Sequence, residues 1–353
     1  MSSMVERSSV TVRHPLVELT TARFKEFLRE PEAVFWVFAF PIIMTCALGV
    51  AFRSSAEQAV IVGVVHVDGG APITDALQRA GGFTVRQIAP DEIDRAVRDG
   101  RAAVVVAPGT PPVYHFDGAR AESQAARLAV DTALQRAAGR EDRFVAEQRP
   151  LEVVGSRYID WLVPGLLGMN IMSTGLWGVG FSIVNARTKK LLKRLVATPM
   201  AKSHYLASHV LSRLAFLGLE TAVLIGFGWI AFGVAVRGSI LALAALSVIG
   251  ALSFGGLALL VSSRARTIEA VSGLLNLVML PMWVLSGVFF ASTYFPDVMQ
   301  PFIQALPLTA LIDALRAIVN EGATLAAVAR EIAILTAWGA ISFVVALKLF
   351  RWQ

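Results

Sequence analysis

The sequence predicts an α-helical membrane protein with six transmembrane helices and a small extracytoplasmic α/β domain inserted between the first two. Three observations carry that prediction. The 353 residues are 55% hydrophobic and only 16% charged, the apolar residues gather into long uninterrupted runs, and the lysines fall on one side of those runs. A soluble domain of this length does not segregate its apolar residues in this way.

A helical crossing needs roughly 20 apolar residues, because each contributes about 1.5 Å across about 30 Å of hydrocarbon. Runs at 33–52, 161–184, 206–236, 240–261, 270–291 and 332–347 supply six candidates. The first lies behind 32 residues and no small-residue cleavage site follows it. It therefore reads as a retained anchor, not a signal peptide.

The net charge of +6 is explained by topology, and no nucleic-acid partner is expected. All six lysines (25, 189, 190, 193, 202 and 348) lie on segments that share one side if six spans alternate. Positive charge marks the cytoplasmic side, so both termini are placed there, in a bacterial cytoplasmic membrane. Cys46 is the single cysteine and sits inside the first run. It can form no intrachain disulfide and reads as a packing residue.

Residues 1–32 form a cytoplasmic N-terminus. Leu16, Val17, Leu19, Phe24, Phe27 and Leu28 share one broad face opposite Glu18, Lys25 and Arg29, which predicts an interfacial amphipathic helix. Residues 33–52 are the first span. Between 53 and 158 the character changes, with thirteen arginines, fourteen acidic residues and no lysine. This is the predicted outside domain: strands at 59–67, 83–88, 102–107 and 113–116 alternate with helices at 73–79, 90–99 and 121–140. His66 lies in a valine-rich strand and reads as packed, and Asp68-Gly-Gly as turn chemistry.

The remainder, 159–353, holds spans two to six. Arg213 and Glu220 are seven residues apart, about two turns, so they lie near one face of the third span. Intramembrane charges are functional suspects by default, and Glu220 reads either as structural glue paired with Arg213 or another span, or as a group that takes part in gating or substrate contact. Gly218, Ala222 and Gly226, then Ser247, Ala251 and Gly255, form small-residue rows that permit close helix contact.

Catalytic signatures are missing. The chain has no phosphate-binding loop, no zinc-binding His-Glu-x-x-His and no Gly-x-Ser-x-Gly elbow. It is therefore expected to be no enzyme by itself and to bind no cofactor directly.

After the second span the chain reads Arg187-Thr-Lys-Lys-Leu-Leu-Lys-Arg-Leu-Val-Ala-Thr-Pro-Met200. This resembles the cytoplasmic coupling loop, here 185–205, of type-2 ABC transporter permeases. A second likeness runs through Ser286-Gly-Val-Phe-Phe290, Phe295-Pro296, Leu306-Pro-Leu-Thr309 and Asp313-Ala-Leu-Arg316. It resembles the family's extracytoplasmic re-entrant segment, at 289–316. The order of elements is similar over nearly the whole chain.

The resemblance implies the transmembrane subunit of an ATP-driven exporter. A separate cytoplasmic ABC ATPase subunit would bind the ATP and Mg, and a second permease copy or homologue would complete the pore. Leu192, Leu195 and Pro199 would supply the docking wedge, with Lys193 and Arg194 orienting it and Thr198 completing the family's Thr-Pro pair. Asn170, Trp177, Asn276 and Met279 are candidates for a substrate path suited to lipid-like or drug-like cargo; the asparagines equally suit bonds to neighbouring helices, and Trp177 and Met279 contact with bilayer lipid. The competing class is a membrane-anchored sensor or envelope assembly factor that uses the outside domain. No cytoplasmic segment is long enough for a signalling output, and a proton-coupled transporter would carry more intramembrane acids than Glu220.

Overall fold

The computed structural model describes residues 21, 25, 27–52, 59–67, 69–141, 144, 155, 157–188, 202–265 and 267–349. They form two compact units, one of residues 1–53 with 152–353 and the other of 54–151.

In the smaller unit, strands β1 (Val60–Val65), β2 (Phe83–Ile88), β3 (Val104–Ala107) and β4 (Val113–Phe116) form one sheet in the order β2-β1-β3-β4. β1 is parallel to β2 and β3, whereas β4 runs antiparallel to β3. Parallel neighbours need crossovers, supplied by the helix that follows each strand. The helices of this unit are α2 (Gly70–Ala80), α3 (Ile93–Arg98) and α4 (Ala121–Ala137). Because side chains alternate along a strand, Val62, Val64, Val104 and Val106 meet Leu77 and Val130 on one face. Val65 and Val105 meet Ile88, Ala96 and Ala102 in a second cluster. His66 is not packed as expected. It lies past the end of β1 and is exposed.

The larger unit is the bundle. Its spans are α1 (Pro31–Ala51, continuous through a π-turn at Phe35–Ala39), α5 (Tyr158–Thr188), α6 (Lys202–Phe232), α7 (Ile240–Ser262), α8 (Ile268–Leu285) and α11 (Ala329–Leu349). Among the described residues, six helices are thus long and apolar enough to cross a bilayer. Two ends differ from the runs read in sequence, 206–236 and 270–291. α6 stops at Phe232 because Gly233 turns left-handed (φ 67°) and bonds its N–H to the Trp229 carbonyl at 2.9 Å, an αL closure, with Val234 N–H on the Gly228 carbonyl at 3.1 Å. α8 stops at Leu285, before Gly287 (φ 75°).

Between α8 and α11 lie the short helices α9 (Gln300–Gln304) and α10 (Pro307–Arg316). The segments Asp297–Gln304 and Pro307–Glu321 meet at 82°. α10 is buried almost throughout, from Pro307 to Leu315, which shields its irregular ends from lipid. α5 and α7 are the most buried spans, and the bundle core is built around them.

Of the two small-residue rows, the one at Ser247, Ala251 and Gly255 packs closely on α5, where a Cβ on Gly175 would come 3.8 Å from the Ala251 carbonyl oxygen and 3.9 Å from the Gly255 nitrogen, whereas the row in α6 makes no such contact. A Cβ on Gly218 or Gly226 would meet nothing within 4 Å. The tight crossing is α7 with α11, where a Cβ on Gly256 would lie 2.7 Å from the Gly339 carbonyl oxygen.

Candidate functional site

Two prolines organise the polar chemistry of the bundle. A helical residue donates its N–H to the carbonyl four positions back, and proline has none to give. Pro41 in α1 therefore leaves the Val37 carbonyl free, inside the π-turn. Asn170 of α5 donates its Nδ2 to that oxygen at 3.1 Å. Pro164 in α5 likewise leaves the Asp160 carbonyl free, and Asn320 donates Nδ2 to it at 2.9 Å. Asn320 belongs to a second π-turn, Ala317–Glu321. The carbonyls of Ile318 and Val319 in that turn accept the backbone N–H of Gly238 and Arg237, each at 3.0 Å.

Asn170 is also the first member of a polar seam. Its carbonyl lies 2.8 Å from Thr174 Oγ1, which in turn lies 3.1 Å from Glu220 Oε2. The single hydroxyl proton serves these two acceptors. Arg213 Nη2 donates to Thr174 Oγ1 at 2.6 Å, and Arg213 Nη1 stands 3.6 Å from Glu220 Oε1. The Glu220 side chain is 1% exposed and that of Arg213 26%, so the acid is sealed while the base reaches outward. The seam ties α1, α5 and α6 together. It contains no nucleophile with a base beside it, and what it can do is hold or release helices.

A second cluster gathers where α5 begins. Arg157 pairs with Asp160 through two bonds of 2.8 and 2.7 Å and donates to the Phe232 carbonyl at 3.1 Å, capping α6. Arg316, at the end of α10, donates to the carbonyls of Gly287 (2.6 Å) and Trp161 (3.3 Å). Its guanidinium lies 3.8 Å from the centre of the Trp161 ring. One side chain thus joins α5, α10 and the turn after α8.

Of the residues singled out in sequence, Arg213, Glu220 and Asn170 are brought together. Met279 is buried in the core, Trp177 is half-buried and 5.2 Å from the Phe181 ring, and Asn276 is exposed. These three do not join the seam. Leu192, Lys193, Arg194, Leu195, Thr198 and Pro199 lie outside the described residues, as does most of the predicted interfacial helix. From that helix, Phe27 packs against Phe216 with ring centres 4.4 Å apart. Sequence reading missed Thr174, Asp160 and Asn320. The signal was present in Pro41 and Pro164, whose missing donors demand partners.

Among the described residues of the smaller unit, Tyr114 is perturbed. Tyr114 donates to Asp131 Oδ1 at 3.1 Å. Burial, reinforced by that bond and the Asp131 charge, pushes its phenol up to about 12.

Comparison with known proteins agrees with this architecture. The family model described as ABC-2 family transporter protein matches residues 32–348. The inner membrane transport permease YadH of Escherichia coli (strain K12) is 27% identical over 166 residues, which are 46% of this chain and 63% of that protein. The same figures hold for the protein of that name in Shigella flexneri. The chain thus spans 63% of the length of these curated relatives. A bundle with six helices fit to cross a membrane, matched to the family model over most of its length, belongs to the ABC-2 family of transporter proteins as a permease component.

Proposed function

We propose that the chain is the transmembrane permease subunit of an ATP-driven exporter. A separate cytoplasmic ATPase moves it between inward-open and outward-open states, and a second permease copy or homologue completes the pathway. Both termini are cytoplasmic, in a bacterial inner membrane, and residues 54–151 form a small α/β domain on the outer side. The cargo is hydrophobic, lipid-like or drug-like, and leaves from the cytoplasm or the inner leaflet. The exposed Asn276 and half-buried Trp177 contribute to its path, beside Met279 and Asn170.

What carries this reading is the length of α5 and α6. Each has 31 residues, or about 46 Å, against about 30 Å of hydrocarbon. In α6 the excess, residues 202–212, precedes the apolar span and lies at the end joined by the basic connection after α5. A lever of that length, joined in sequence to the connection that carries Leu192, Leu195 and Pro199, transmits a push on that connection to the seam in the membrane.

The test is co-purification of the chain with candidate ATPases, followed by ATP hydrolysis in lipid. Association is expected, and alanine at Leu195 and Pro199 should uncouple hydrolysis from transport. If no ATPase binds and the alanine variants transport normally, the coupling role is wrong.

A further inference from the structure

At one end of the bundle the last turn of α7, the first half of α8 and the end of α11 enclose a groove of about 390 Å³. Its apolar wall is Leu260 and Val261 of α7, Leu274, Leu277 and Val278 of α8, and Leu349 of α11. Positions 274, 277 and 278 are three and four residues apart and so share a face of α8. Leu274 and Leu277 are 41% and 69% exposed, so the groove opens outward from the bundle. Val278 lies about 15 Å along the axis from Ile268, where α8 begins, which is one leaflet's share of the hydrocarbon.

The mouth of this groove is charged, and the charge is part of its lining. Arg264, in the turn between α7 and α8, is one of the residues that enclose it. It is exposed, and it has no carboxylate or hydrogen-bond partner among the described residues. None of the lining residues is acidic. Lys348, exposed in the last turn of α11, stands next to the lining Leu349 and has the same sign. Glu269 lies in the first turn of α8, but it is five residues before Leu274 and therefore about 140° around the helix, on another face.

At the depth of a span, an outward-facing apolar groove is bathed in acyl chains, and the group at its polar edge decides which lipid stays. A guanidinium meets a phosphate through two parallel N–H bonds, whereas an ammonium brought beside Arg264 and Lys348 is repelled. We propose that this groove holds one acyl chain of a phospholipid whose headgroup is net negative, with its phosphate on Arg264. The lipid is a resident component that joins the α7–α8 turn to the end of α11, and is not the cargo.

The probe is native mass spectrometry of the full chain, extracted from vesicles of equal parts phosphatidylglycerol and phosphatidylethanolamine with matched acyl chains. Retained phosphatidylglycerol should exceed phosphatidylethanolamine. Arg264→Gln should weaken that retention by about tenfold, as expected for loss of a charge-assisted contact. Val278→Trp should abolish it by filling the slot while leaving Arg264 in place. Arg101→Gln removes the same charge from the smaller unit, where Arg101 pairs with Glu92 at 3.5 Å, and should change nothing. The proposal fails if the two lipids are retained equally, if Arg264→Gln keeps phosphatidylglycerol, or if Arg101→Gln lowers it as much. It also fails if Val278→Trp alters the dimer fraction and leaves the lipid count unchanged, since a second copy would then occupy the groove.

Discussion

Arg213 and Glu220 illustrate how a pair of charges survives inside a bilayer: the acid is sealed and the base is partly open. Removing the base should therefore hurt more than neutralising the acid. Arg213→Ala leaves Glu220 buried without its cation and should cost about 2 kcal/mol, while Glu220→Gln keeps a contact to Thr174 and should cost about half as much. Thermal unfolding in lipid nanodiscs measures both, and an equal loss would show that the pair does not act in this asymmetric way. Tyr114 gives a pH signature in the smaller unit. Its folded pKa, about 12, lies above the ordinary value of 10.0, so the native state holds the proton more tightly. The resulting stabilisation is complete below about pH 10 and fades as pH climbs towards 12. Absorbance titration of the phenolate in the full chain should lose its highest step in Tyr114→Phe.

At the scale of elements, spans were legible because length and apolarity are properties of composition, and strands β1, β2 and β4 because valine-rich or alternating patterns repeat every two residues. The bend between α9 and α10 was legible only as a family likeness. Helix contacts were half legible: the row at Ser247, Ala251 and Gly255 does lie against α5, but a small-residue row says which faces can approach and not which face has a neighbour. Gly226 satisfies the pattern and meets nothing, whereas Gly256 sits against the Gly339 backbone. Gly256→Ala should thus destabilise the bundle by about 1–3 kcal/mol, because a backbone carbonyl cannot swing aside. Gly226→Ala should be neutral or stabilising by up to about 1 kcal/mol, through helix propensity alone. Unfolding midpoints of the two variants in one lipid decide this. The seam was half legible: charges within an apolar run stand out, but Thr174 looks like any other hydroxyl in a helix until its neighbours on α6 are known.

For the whole molecule, sidedness is the property on which the transport reading depends. Cys46 is the single cysteine, so Cys46→Ala provides a clean background for labelling. In that background Gly118→Cys, in the smaller unit, should react with a membrane-impermeant maleimide added outside intact cells. Lys348→Cys should react only after permeabilisation, and the reverse pattern would invert the proposed topology. α5 is the helix through which such a molecule must move as one body, since Asn170 fastens it to α1 and the Asp160 carbonyl fastens it to the turn after α10. In both joints the accepting atom is a main-chain oxygen, common to every amino acid. Val37 could drift to another apolar residue over evolutionary time and the joint would survive. Pro41 and Asn170 have no such latitude, and neither do Pro164 and Asn320. Each couple should be inherited or lost together among relatives, a record of helix attachment written in a proline and an asparagine that meet through a main-chain oxygen.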